Sequence, residues 1–149
     1  MSTGAAPRVS ELLPDETWTT LEQDQSAMLI DVRTQAEWGF VGVPDLESLG
    51  RSAIFVEWAR YPDMSINPHF VETVIEKLGP EIPDKLFFLC RSGVRSLRAA
   101  DAVAGALADK GITADCINIA EGFEGDLDVE GHRGRLNGWK VRGLAWRQS

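Results

Sequence analysis

A chain of 149 residues, 44% apolar and 26% charged, is long enough for one domain with a sizeable core and is not composed like a disordered polymer. Its net charge of -8 argues against a general nucleic-acid or anionic-membrane binder. No apolar run approaches the ~18–20 residues of a membrane helix, and residues 1–10 lack the hydrophobic centre of a signal peptide. Two cysteines, Cys90 and Cys116, are too few for a disulfide framework and suit a reducing cytoplasm, so a cytoplasmic protein is expected. There is no CxxC, and His69 and His132 stand apart, so neither a metal nor another cofactor is expected. The charge is uneven: residues 131–149 carry Arg133, Arg135, Lys140, Arg142, Arg147 and no acid, which leaves -13 for the rest.

Residues 1–7 are small and polar and are expected to fray. Pro14 opens a helical stretch with Trp18 and Leu21 on one face, over by Gln25. Met28-Leu29-Ile30-Asp31-Val32 is an apolar run broken by one acid, a strand inside a sheet. Thr34 and Glu37 have capping-box spacing and predict a short helix with Trp38, ended by Gly39, Gly42 and Pro44. Residues 52–56 read as a third strand and residues 57–66 as an irregular loop. Asn67-Pro68 reads as a helix start, and Phe70, Val71, Val74, Ile75 and Leu78 form one apolar stripe up to Gly79-Pro80.

The stretch Lys85-Leu86-Phe87-Phe88-Leu89-Cys90-Arg91-Ser92-Gly93-Val94-Arg95-Ser96 organises the chain. An apolar strand ends in a cysteine, a loop with one glycine and two arginines follows, and then an alanine-rich helix whose buried face reads as Leu97, Ala100, Val103, Ala104 and Leu107. Lys110 and Gly111 close that helix. In a βαβ unit the loop after the strand is where ligands bind. A helix N-terminus and the guanidinium groups of Arg91 and Arg95 favour an anion there, and the thiolate is the reactive form of cysteine. Cys90 therefore reads as an activated nucleophile. Residues 115–119 form a further strand in which Cys116 reads as core filler, since a buried thiol away from positive charge is inert. Glu121-Gly122-Phe123-Glu124-Gly125 is a turn, and Trp139 and Trp146 mark a tail that docks on the body. Strands alternating with helices predict an α/β fold: a central parallel sheet covered on both faces.

Taken together, the loop CRSGVRS, the element Leu29-Ile30-Asp31-Val32-Arg33 followed by Glu37-Trp38, and the turn Glu121-Gly122-Phe123 resemble the rhodanese (sulfurtransferase) family, as a single domain over about residues 8–147. One segment departs from it. Where the family usually shows a Gly-His-Ile-Pro-Gly-Ala type segment, this chain has Gly39-Phe40-Val41-Gly42-Val43-Pro44, without the histidine.

The resemblance implies a three-layer α/β domain with about five parallel strands, and sulfur transfer through a persulfide on Cys90 with no cofactor. The donor would be a small anion such as thiosulfate; the acceptor would be cyanide, a thiol or a protein cysteine. Backbone N–H groups along Arg91, Ser92, Gly93, Val94, Arg95 and Ser96 would hold the persulfide. Gly93 would permit the tight curvature. Arg91 and Arg95 would offer charge to a sulfonate, Ser92 and Ser96 would donate hydrogen bonds, and Asp31 and Arg33 would orient the site, Asp31 by pairing with a loop arginine. Two other functions compete. A non-catalytic rhodanese-like binding or regulatory module would typically lack the cysteine. A cysteine phosphatase or arsenate reductase would place its arginine six positions after the cysteine, whereas Arg95 comes five after Cys90.

Overall fold

The computed structural model describes residues 9–148; the fraying expected over residues 1–7 lies outside the described residues. In chain order the elements are β1 (Val9–Leu12), α1 (Pro14–Gln23), β2 (Met28–Asp31), α2 (Gln35–Phe40), β3 (Val43–Pro44), β4 (Ile54–Phe55), β5 (Ala59–Arg60), β6 (Ser65–Ile66), α3 (Phe70–Leu78), β7 (Lys85–Leu89), α4 (Val94–Asp109), β8 (Asp115–Ile119) and β9 (Trp146–Arg147). Five strands form the central sheet in the order β1-β8-β7-β2-β4, every pair parallel. No helix among the described residues is long and apolar enough to cross a membrane.

The period-2 alternation of β7 divides the core. Leu86, Phe88 and Cys90 enter one apolar layer with Phe70 and Val74 of α3 and Ala99, Ala100, Val103 and Leu107 of α4. Phe87 and Leu89 enter the opposite layer with Leu21 of α1, Ile117, Ile119, Phe123 and Trp139. The sheet is thus buried on both faces, which is why its strands read as apolar runs. The expected three layers are present, although α1 shares its side with the C-terminal tail. Trp139 is fully buried, 5.9 Å from Trp18 edge to face, and its indole N–H donates to the Ala145 carbonyl at 2.8 Å. β9 pairs antiparallel with β3, so the tail docks as expected, but of the two tryptophans expected to bury only Trp139 does so and Trp146 stays exposed.

Several expectations are corrected. Residues 57–66 are not irregular: β5 and β6 form a small antiparallel hairpin inside them. The α-helix expected from Asn67 begins at Phe70. Asn67 Oδ1 accepts the His69 N–H at 3.0 Å and its carbonyl accepts the Phe70 N–H, so a tight turn precedes the helix. α4 starts at Val94, and its buried face runs through Ser96, Ala99, Ala100, Val103 and Leu107. Leu97 sits one residue, about 100° of helix, off that stripe and is exposed.

Candidate active site

Cys90 follows the last residue of β7, and α4 begins four residues later, so the loop between them is very short. Gly93, the residue before α4, has φ 112°, a conformation suited to glycine. The bend brings the Gly93 N–H to Cys90 Sγ at 3.1 Å. The Ser96 hydroxyl lies 3.1 Å from Sγ as well and 2.5 Å from Asn118 Oδ1 on β8. Cys90 itself is buried, 1% exposed. The cradle expected from all the loop amides is narrower here. Gly93 supplies its one direct amide contact to sulfur among the described residues, and the Ser96 hydroxyl supplies the other polar contact.

The turn after β8 holds the start of this loop. Glu121 and Gly122 take left-handed backbone, φ 70° and 68°, and the Phe123 N–H donates to the Cys90 carbonyl at 2.8 Å. The Glu124 and Gly125 N–H groups both donate to the Arg91 carbonyl. A Cβ on Gly122 would lie 2.6 Å from the Cys90 carbonyl oxygen, so the close approach itself requires glycine. Bidentate bonds from Arg142 to the Glu121 carboxylate, 2.8 and 2.7 Å, fix the far side of the turn and hold that carboxyl below its ordinary range.

Asp31 and Arg33 support the site by a different pairing from the one expected. Asp31 pairs with Arg33, not with a loop arginine: both are fully buried and their shortest contact is 2.7 Å. Arg33 also donates to the Gly42 carbonyl at 2.8 Å, and its guanidinium lies 4.3 Å over the Phe123 ring. The pair therefore braces Phe123, and through it the Cys90 carbonyl. Gly42 belongs to the segment that departs from the family pattern; Val43 and Pro44 just after it are held by β9.

The loop arginine Arg95 instead grips Glu37, at 2.7 and 2.9 Å, in a fork-to-fork pair. Burial opposes the charge on each. The mutual hydrogen bonds and Coulomb attraction outweigh it, holding the Glu37 carboxyl at about 2 and Arg95 above its ordinary value. Glu37 was read only as a capping residue, and it does cap: Thr34 Oγ1 accepts its N–H, and its carboxylate accepts the Thr34 N–H at 3.1 Å. One carboxylate thus joins the start of α2 to the start of α4.

Arg91 and Arg95 line a cleft of about 690 Å3 with Arg133, Phe40, Tyr61 and Leu127. Arg91 makes no ion pair among the described residues. Ser92 and Val94 make no polar side-chain contact to Sγ among the described residues, and Val94 is exposed. Asn118 was missed from sequence. Its signal was a polar residue at an inward position of β8, on the same side as Cys116. His132 does not stand alone in space: its ligand atom lies with those of Asp128 and Glu130 within 4.8 Å of one another. Arg135 sits 3.8 Å from Asp128 and 3.4 Å from Glu130, and the Asp128 carboxylate accepts the Glu130 and His132 N–H groups.

No family model matches the chain. It is 33% identical over 138 residues to the uncharacterized protein RP600 of Rickettsia prowazekii, across 93% of this chain and 97% of the relative. The crystal structure of Rv0390 from M. tuberculosis superposes with a TM-score of 0.80 at 45% identity, over 94% of this chain and 98% of that one. The polysulfide-sulfur transferase of Wolinella succinogenes shares the fold at a TM-score of 0.54 and 20% identity, over 95% of this chain and 80% of its own. The chain belongs to one family with RP600 and Rv0390, and its fold is that of a single rhodanese-like domain. Within this rhodanese-like fold more than one chemistry is represented: the As-Sb reductase of Leishmania major superposes at a TM-score of 0.56 and 18% identity, over 76% of this chain and 72% of that one.

Proposed function

We propose that the protein is a sulfurtransferase that carries a sulfane sulfur on Cys90. The observation that carries this reading is the pairing of a sulfur held by the Gly93 N–H with an Arg95 whose two terminal nitrogens are committed to Glu37. A phosphate or arsenate enzyme with a cysteine loop needs a guanidinium that grips two oxyanion oxygens. Arg95 comes one position too early for that and is turned to Glu37. A single outer sulfur on Cys90 needs no such grip, because one or two hydrogen-bond donors suffice for it.

The cycle has two displacements. The Cys90 thiolate attacks the outer sulfur of thiosulfate; the S–S bond of the donor breaks and sulfite leaves with the electron pair. The new Cys90 persulfide then gives its terminal sulfur to cyanide or a thiolate, and the cysteine thiolate returns. The anionic donor or acceptor enters by the cleft, where Arg91 and Arg133 supply positive charge against the one carboxylate of Glu124, while the Arg95–Glu37 pair is a neutral wall. The 690 Å3 of the cleft far exceeds a thiosulfate ion and leaves room for the body of a larger thiol or a protein segment. A non-catalytic module has no use for a sulfur met by both the Gly93 N–H and the Ser96 hydroxyl.

The test is intact mass after incubation with thiosulfate, with peptide mapping. One added sulfur on Cys90, and background hydrolysis of para-nitrophenyl phosphate, is the expected result. Hydrolysis of the phosphate ester that depends on Cys90, with no added sulfur, overturns the assignment.

A further inference from the structure

The Ser96 hydroxyl has one proton and two neighbours that could take it, Cys90 Sγ at 3.1 Å and Asn118 Oδ1 at 2.5 Å. Chemistry fixes which way the Asn118 amide points. Its nitrogen lies 3.0 Å from Glu11 Oε2 on β1 and 3.2 Å from the Gly93 carbonyl. Both are pure acceptors, so both amide hydrogens are used there, and a flipped amide would set oxygen against oxygen on two sides. Oδ1 therefore faces Ser96, accepts only, and takes the hydroxyl proton at the shorter of the two distances. Asn118 is 2% exposed, so water offers it no ready substitute.

We propose that Asn118 is a positioning residue that commits the Ser96 proton, and thereby favours Cys90 as a thiol or a persulfide over the bare thiolate. With the proton on Asn118, a lone pair of Ser96 Oγ faces Sγ. A thiol S–H can donate to that lone pair, completing a chain from sulfur to hydroxyl to amide. A thiolate cannot use it: the hydroxyl must first rotate to sulfur and give up Asn118. In the persulfide the negative charge has moved to the outer sulfur, Sγ is a neutral divalent atom, and the hydroxyl can return to Asn118. The chain carries no proton away, since an amide oxygen is too weak a base; the thiol proton leaves to water. The charged groups around the site are Arg91 and Arg95 of the loop and α4, Asp31 and Arg33 at the end of β2, Glu37 of α2, Glu11 of β1, and Glu124 and the Arg142-paired Glu121 on the turn after β8. None of them hydrogen-bonds Sγ among the described residues, so the Ser96 proton is the adjustable contact.

The experiment is iodoacetamide alkylation of Cys90, followed by peptide mapping, near neutral pH and again at a pH that ionises the thiol fully. Asn118→Ala frees the hydroxyl for the thiolate and speeds the neutral-pH reaction about tenfold, the effect of one hydrogen bond to a charged atom. Ser96→Ala removes the acceptor of the S–H group and speeds it by about twofold, S–H being a weak donor. The double variant falls back to the Ser96→Ala rate, because Asn118 acts through Ser96. At high pH all four proteins react alike. Slower alkylation in Ser96→Ala overturns the proposal, since the hydroxyl would then serve the thiolate already, and this single variant decides the matter if Asn118→Ala fails to fold. An acceleration in Asn118→Ala that persists in the double variant or at high pH overturns it as well, as that would be mere loosening of the loop. The persulfide half rests on the sulfurtransferase reading: in thiosulfate–sulfite mixtures Asn118→Ala should hold about tenfold less persulfide relative to thiolate. A wild-type protein that alkylates as described but never gains sulfur mass would remove that reading and leave the thiol half standing.

Discussion

Cys90 and Cys116 share a layer and differ in everything else. Both are 1% exposed, both lie between the sheet and helices α3 and α4, and their strands are neighbours. Cys116 stands opposite Leu86 at the start of β7, and Cys90 follows its end. The two sulfurs therefore occupy opposite ends of a parallel sheet, about 13 Å apart along a strand. At Cys116 burial, reinforced by the Asp115 carboxylate, pushes the thiol up to about 11. At Cys90 the chain has just left the sheet and the start of α4 lies close by. The Gly93 N–H and the Ser96 hydroxyl meet the sulfur, and Arg95 is near enough to feel its charge. Equal burial is compatible with an inert thiol and a nucleophile. The direction in which backbone N–H groups point at each end of the sheet separates them.

The largest break in this comparison comes from removing each sulfur in turn. Cys90→Ser should cost at least about 1000-fold in thiosulfate-to-cyanide turnover, the scale of losing a nucleophile. Cys116→Ser should keep most of the activity. A folded Cys116→Ser protein as inactive as Cys90→Ser would sink the distinction.

The sequence made one end of the sheet far more legible than its lateral contacts. The order of strands and helices, the Cys90 loop and the docked tail were readable, because an apolar run ending in Cys90 and a buried-scale Trp139 are local signals. The partner of Asp31 was not. Arg33 lies two residues on, and no periodicity tells a strand-end arginine to fold back under Phe123. Glu37 was visible as a cap, yet its bond to Arg95 spans 58 residues and depends on how α2 and α4 meet. Asn118 belongs to the same class: a polar residue inside β8 announces that it needs partners, but not that they are Ser96, Gly93 and Glu11.

The tail sharpens the comparison from the opposite face. The Trp139 N–H donates to the Gly122 carbonyl at 2.9 Å and the Lys140 N–H to that of Phe123, so the tail clamps the turn that clamps Cys90. Among the described residues no comparable clamp reaches Cys116. Trp139→Ala should cost about 3–5 kcal/mol and lower the midpoint of thermal unfolding by about 10 °C. A chain ending at Gly134 loses β9 as well and should unfold lower still. An unchanged midpoint in either would mean that the tail contributes nothing to the fold.

A pair of glycines tests the two ends with one methyl group each. Gly122 and Gly111 have nearly the same left-handed backbone, φ 68° and 72°. A Cβ on Gly122 would press on the Cys90 and Arg91 carbonyls, whereas one on Gly111, near the start of β8, meets nothing within 4 Å. Gly111→Ala should therefore cost about 1–2 kcal/mol of backbone strain and leave persulfide loading intact. Gly122→Ala should cost more than that in urea unfolding and also lower the loading of Cys90. Equal losses of stability and full loading in both variants would show that the turn after β8 does not set the loop.

The smallest effect lies in the dependence of stability on pH, where the two ends should titrate on opposite sides of neutrality. The Arg95 fork holds the Glu37 carboxyl at about 2, below its ordinary 4.5. A depressed carboxyl stabilises the fold above its unfolded value, and that contribution fades as pH falls from about 4.5 towards 2. The Cys116 thiol runs the other way. Raised from 9.0 to about 11, it favours the fold below pH 9, and its contribution is lost as pH climbs through 11. Urea midpoints measured across the full range should thus show an acid slope that Glu37→Gln flattens and an alkaline slope that Cys116→Val flattens. Each substitution should leave the other slope in place, since the groups share no partner. If Glu37→Gln kept the wild-type acid slope, the Glu37–Arg95 pair would be a contact without energetic weight. The neutral wall it gives the cleft would then have to be held by the packing of Trp38 of α2 against Phe55 of β4.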